Sequence, residues 1–196
     1  GILFDMGGTL LTETAFDRRA ARQHLMNIAR NPNGVTMLDY AVLAQEFDAT
    51  FWAKRDETLQ EFPVKVFWRL MDERLGLSFD LSEDDVELEF WKTAVTMTPE
   101  PGIHEVLEAV ARAGIPAGVV SNSGFGGRAL CYELEKHGLL KYFRFVMSTA
   151  DYGVRKPHPM IFLTAAAKLG NKPENIWFFG DSHFHDIRGA AGVGMK

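Results

Sequence analysis

Four short stretches combine residue types that chemistry uses. Asp5-Met6-Gly7-Gly8-Thr9 sets a carboxylate and a hydroxyl around a glycine pair, and Ser121-Asn122-Ser123 supplies hydroxyls and an amide. Lys156 precedes Pro157, and the run from Asp181 to Asp186 carries two more carboxylates. Carboxylate oxygens hold Mg²⁺, which keeps waters and binds through one or two carboxylates plus the phosphate oxygens of a substrate. A lysine and hydroxyls opposite would neutralise and hydrogen-bond the remaining phosphate oxygens. An aspartate whose charge is partly offset in this way can also attack phosphorus, giving an aspartyl-phosphate. The set reads as phosphate chemistry, provided that the fold gathers all four stretches.

The elements that must gather them follow from apolar patterning. The run over 2–4 ends in Asp5 and reads as a buried strand entering a glycine loop. Ile103, Val106, Leu107 and Val110 fall at i, i+3, i+4 and i+7, which predicts a helix over 102–113 closed by Gly114. Strands are expected over 116–120, 143–147 and 176–179, with helices over 127–137 and 159–169 between them. Strand alternating with helix implies an α/β fold, a doubly wound parallel sheet wrapped on both faces. Ligands of such sheets bind at the carboxyl ends of the strands, where the four stretches fall.

The segment 12–98 has a different texture. Helical spacing over 18–29, 38–58 and 63–75 is followed by a helix entered through Ser82-Glu-Asp-Asp85, close to a capping box. No comparable strand signal appears there, so a small antiparallel helical bundle is expected. The domain reading is therefore 1–11 with 99–196 as the α/β core, and 12–98 as a helical insertion.

Phe4-Asp5-Met6-Gly7-Gly8-Thr9-Leu10 resembles the first motif of the haloacid dehalogenase superfamily, Asp-x-Asp-x-Thr, with one departure. Val119-Val120-Ser121-Asn122 resembles its second motif, Gly153-Val-Arg-Lys156-Pro157 its third, and Gly180-Asp181-Ser182 with Asp186 its acidic fourth. The four stand in order along essentially the whole chain, and the insertion lies where this family places a helical cap. The resemblance implies a Mg²⁺-dependent phosphohydrolase acting on a small phosphorylated metabolite. It makes Asp5 the nucleophile and a metal ligand, with the backbone carbonyl of Gly7, Asp181 and Asp186 completing the metal set. Ser121 and the amide of Asn122 would bind phosphoryl oxygens, Thr9 would steady the loop beside them, and Lys156 would pair Asp5 and the phosphate. The departure is Gly7, where family phosphatases carry a second Asp as general acid/base. Two alternatives follow from it: a degenerate member that binds a phospho-ligand with little turnover, or a carbon–halogen or carbon–phosphorus hydrolase. The last needs a Schiff-base lysine from the insertion, for which Lys54, Lys65 and Lys92 are available.

Composition sets the outer bounds. The chain has 196 residues and a net charge of −5, which argues against a nucleic-acid partner. Apolar residues make up 46% and charged residues 24%, ordinary globular values that leave no room for disorder. Cys131 is the only cysteine, which suits a reducing compartment. No apolar run reaches the roughly 18 residues of a membrane span and no signal peptide opens the chain, so no membrane partner and a cytoplasmic location are expected. A further sheet strand is expected where the text stops at Gly194-Met195-Lys196. His183 and His185 invite a zinc reading, but alternate residues without a thiol are not a tetrahedral ligand set. Trp52, Trp68 and Trp91 read as packing residues of the bundle.

Overall fold

The computed structural model of the protein describes residues 1–50 and 54–196. Among them are strands β1 (Ile2–Phe4), β2 (Leu11–Phe16), β3 (Val95–Pro99), β4 (Ala117–Ser121), β5 (Val146–Ser148) and β6 (Trp177–Phe179). The helices between β2 and β3 are α1 (Arg18–Ile28), α2 (Met37–Thr50), α3 (Arg55–Thr58), α4 (Val64–Leu75) and α5 (Glu83–Ala94). Those that follow are α6 (Ile103–Arg112), α7 (Gly127–Lys136), α8 (Pro159–Leu169) and α9 (Arg188–Gly192).

β1, β4, β5 and β6 form one parallel sheet in the order β5-β4-β1-β6. Every residue of β4 is buried, as a central strand covered on both faces requires. Successive side chains point to opposite faces. Phe4 and Val119 therefore join Leu107 of α6 and Leu130 and Leu134 of α7, while Leu3 and Val120 join Ile161 and Phe162 of α8. Helices thus flank both faces, as the alternation predicted. The chain leaves β1 toward β4 and β5, then returns to β6 on the other side. That reversal opens a crevice at the carboxyl end of β1, the place where such sheets bind ligands.

Two local differences from the sequence reading have physical causes. β2 and β3 pair antiparallel from Leu11↔Pro99 to Phe16↔Val95, so the ends of the 12–98 segment are a ribbon and not helix. Only Leu11 of β2 is buried, so the strand carries no period-two pattern. The ribbon forms because the chain leaves and re-enters the core at neighbouring points. The strand expected over 143–147 is confined to Val146–Ser148, preceded by a helical turn at Leu140–Tyr142. Of the helix expected over 38–58, α2 and α3 are observed; Trp52 lies outside the described residues.

Helix boundaries follow local chemistry. The Asp17 side chain accepts a hydrogen bond from the Ala20 N–H at the start of α1, and Ser82 accepts from the Asp85 N–H at the start of α5. Gly76 closes α4 at a φ of 75°, a conformation that glycine adopts without strain. Phe125, just past β4, stacks on Phe90 and meets Trp91 edge-on at 5.0 Å, tying the insertion to the core. At the far edge Lys196 donates to the Ile176 carbonyl and accepts from the Phe178 N–H, beginning a further rung beside β6. Among the described residues, no helix is long and apolar enough to cross a membrane.

Candidate active site

Lys156 sits at the centre of the crevice and is 1% exposed. Its Nζ lies 2.8 Å from Asp5 Oδ1 and donates at 2.6 Å to Asp186 Oδ1. An ammonium buried this deeply is tolerated only when paired, and here two carboxylates share it. Asp186 is wholly buried; its other oxygen accepts the Ser182 N–H at 3.0 Å. Asp181 is exposed and completes a group in which carboxylate oxygens of Asp5, Asp181 and Asp186 all lie within 4.8 Å of one another. Burial raises the Asp5 carboxyl above its ordinary value, opposed by the Lys156 charge and reinforced by that of Asp186.

Glycines allow this crowding. A Cβ on Gly8 would stand 2.7 Å from Asp181 Oδ2, and one on Gly180 would stand 2.4 Å from Asp186 Oδ2. Gly8 also has a φ of 68°. Gly7 does not: its φ lies outside the left-handed region, and a Cβ there would meet nothing within 4 Å. The loop is closed by the Gly8 N–H donating to the Leu11 carbonyl and the Leu11 N–H donating to Met6. Those bonds leave the Gly7 carbonyl unused. A cation held by Asp5 and Asp181 fits this donor set, with hard oxygens from two strand ends at a partly open edge.

The remaining expected residues divide. Ser121 ends β4 beside Ser148 of β5 and is buried. Asn122 does something that sequence reasoning missed: its Oδ1 accepts the Lys156 N–H at 2.8 Å and its Nδ2 donates to the Lys156 carbonyl at 3.1 Å. The side chain thus clamps the backbone that carries the lysine, and the following Lys156–Pro157 peptide is cis. The Thr9 hydroxyl is buried and has no hydrogen-bond partner among the described residues. Neither His183 nor His185 joins the carboxylate group. His185 instead faces Ser182 at 3.1 Å and Asp56 of α3 at 3.6 Å.

Asp56 belongs to a second layer of contacts from the insertion. Buried Glu61 accepts the Thr149 hydroxyl at 2.8 Å and lies 3.5 Å from buried Arg155, which also faces Asp56. Backbone bonds join Glu61 to Gly153, Leu59 to Arg155 and Val64 to Gly124. Farther along, Glu87 of α5 accepts the Gly126 N–H at the start of α7. Burial pushes its carboxyl up to about 7, opposed by that hydrogen bond. Acidic residues in a helical insertion read as solvent-facing, so no sequence signal marks these three. Of the insertion's lysines, Lys65 pairs with Asp84 and Lys92 with Glu89.

These features are those of an α/β-fold protein with a carboxylate site at its strand ends. The haloacid dehalogenase-like hydrolase family matches residues 1–194, and the chain belongs to that family. It is 25% identical over 213 residues to phosphoglycolate phosphatase of Escherichia coli K12, covering 99% of this chain and 78% of that enzyme. It is 35% identical over 99 residues to glyceraldehyde 3-phosphate phosphatase of Methanopyrus kandleri, covering 50% of this chain. The chain spans only 42% of the length of that second relative. The fold is shared with a 2-haloacid dehalogenase from Pseudomonas syringae (TM-score 0.64, 20% identity, 99% of this chain and 83% of that one). It is shared as well with a phosphatase of this superfamily from Thermococcus onnurineus (TM-score 0.56, 23% identity, 100% and 83%).

Proposed function

We propose that the protein is a Mg²⁺-dependent phosphohydrolase that acts on a small phosphorylated metabolite through Asp5. The observation that carries this reading is the buried Lys156 ammonium between Asp5 and Asp186, facing the exposed carboxylate of Asp181. Asp5, Asp181 and the Gly7 carbonyl would hold Mg²⁺, which would supply polarisation and charge neutralisation at the phosphoryl oxygens. Asp186, with both oxygens engaged by the protein, stands at the edge of that set and anchors the lysine. Asp5 attacks phosphorus, forming the aspartyl-phosphate as the phosphate-ester bond breaks, and water then cleaves the acyl phosphate. Lys156 neutralises Asp5 and the transferred group together. Ser121 and the Asn122 amide hold phosphoryl oxygens, Thr9 lines the loop, and segment 12–98 acts as a cap over the site. The relatives named as phosphatases of glyceraldehyde 3-phosphate and phosphoglycolate support this substrate class.

Gly7 favours a second reading, a phospho-ligand binder with little turnover, because no carboxyl follows Asp5 by two residues. A metal carboxylate at Asp181 disfavours a metal-free dehalogenase. The pairing of Lys65 and Lys92 with surface carboxylates disfavours a Schiff-base route through them. A phosphatase screen across a panel of phosphorylated metabolites, with and without Mg²⁺, decides between the first two. Metal-dependent phosphate release from at least one compound is expected. Saturable binding without release would favour the binder.

A further inference from the structure

A half-open cavity of about 750 Å³ lies between α1, α2 and α4, with Phe90 and Phe125 also in its wall. Asp5, Ser121, Lys156 and Asp181 are not among its lining residues, so it is separate from the carboxylate group. Its size falls within the range of small-molecule sites, and the space between bundle helices is a common place for them. Aromatic and aliphatic side chains make up most of the wall. Arg18, Arg19, Gln45 and Asp48 also line it but are exposed, whereas Arg22 of α1 is 7% exposed.

The guanidinium of Arg22 lies over the rings of Tyr40 at 3.9 Å and Trp68 at 4.7 Å. Ring faces stabilise a cation but accept none of its in-plane N–H donors. Among the described residues no carboxylate pairs with it, and the hydroxyl of Tyr40 is the side-chain acceptor beside it. Asp72 of α4 faces it from farther away, with its Oδ1 buried and unpartnered and its carboxyl pushed by burial up to about 6. The neighbouring Arg18 on the cavity wall is already paired with Asp48 at 3.4 Å. A buried cation with five N–H donors and no carboxylate partner therefore stands at the wall of the cavity.

We propose that this cavity is a second ligand site that takes an amphipathic monoanion, an apolar chain or ring bearing a single carboxylate. The carboxylate accepts the N–H fork of Arg22, and the apolar body lies against Met37, Ala44, Met71 and Trp68. The site does not depend on the phosphatase reading, since neither metal nor phosphate enters it.

Methyl-labelled methionine NMR of the full chain locates binding, because Met37 and Met71 line the cavity whereas Met6 adjoins Asp5. The probes are decanoate below its micellar concentration, decan-1-ol with the same body and no charge, and acetate with the charge and no body. Decanoate should shift Met37 and Met71 saturably and leave Met6 unmoved. Decanol should bind at least tenfold more weakly, and acetate should have no effect. Arg22→Met should bring decanoate down to the affinity of decanol. Ala44→Phe, which fills the chamber and leaves Arg22 in place, should abolish the shifts and keeps the test decisive should Arg22→Met fail to fold. Equal affinity for decanoate and decanol, shifts centred on Met6, or no shift at all would overturn the proposal.

Discussion

At the scale of single residues, the site turns on what replaces the second carboxyl of the first motif. A positioned general acid typically contributes on the order of 10²- to 10⁴-fold, and most when the leaving group is a poor one. Gly7 offers none, so alkyl phosphates should be cleaved unusually slowly relative to aryl phosphates. The backbone at Gly7 has no left-handed φ and open space around its Cβ position, so Gly7→Asp is accommodated without strain. That variant should retain Mg²⁺ affinity and gain alkyl phosphate turnover far more than aryl. Equal gains for both substrates would refute the missing-acid argument. A second prediction concerns Lys156, which compensates two buried carboxylates. Lys156→Met should lower stability by about 3–5 kcal/mol, the cost of leaving buried charge unpaired, and should weaken binding of beryllium fluoride. A chemical denaturation midpoint that does not move would show the ammonium to be dispensable.

Residue types at this scale were readable because each stands next to a signal of its own: Asp5 before a glycine pair, Lys156 before a proline, Asp181 after Gly180. The Asn122 clamp was not readable, because it spans 34 positions and depends on β4 and the Lys156 loop meeting in space. Nothing in the text sets Arg22 apart from the other polar residues of α1, because its three ring neighbours come from α2, α4 and α5.

At the scale of elements, α5 and α7 meet through a carboxylate that titrates near neutrality. Glu87 has a folded-state value of about 7 against an ordinary value of 4.5. Between those values the folded protein holds more protons than the unfolded chain, so stability falls as pH rises through the window. The loss amounts to about 3 kcal/mol at 1.36 kcal/mol per unit. Glu87→Gln keeps an acceptor for the Gly126 N–H and has no charge to desolvate. Urea unfolding from pH 4.5 to 7 should therefore show the wild type losing stability relative to the variant; parallel profiles would refute the assignment. The parallel strands and their helices were legible because burial on both faces writes continuous apolar runs into the text. The β2–β3 ribbon was not, since five of the six residues of β2 are exposed and nothing there selects strand from loop.

At the scale of the whole molecule, the insertion leaves and rejoins the core through β2 and β3. It also touches the core again at Asp56, Glu61 and Glu87. A site that must admit substrate and then exclude water needs those contacts to break and re-form. Hydrogen exchange over 11–16, 59–64 and 95–99 should slow when Mg²⁺ and beryllium fluoride are added together. Identical protection with and without them would mean that the insertion does not close.

In the proposed mechanism Asp5 performs metal-assisted phosphoryl transfer. Its most direct test is hydrolysis of p-nitrophenyl phosphate, whose leaving group needs no proton, by the wild type and by Asp5→Asn across a Mg²⁺ titration. Turnover should rise with Mg²⁺, disappear in excess chelator and be abolished in Asp5→Asn while the variant remains folded. Turnover that survives either the chelator or the substitution would contradict it.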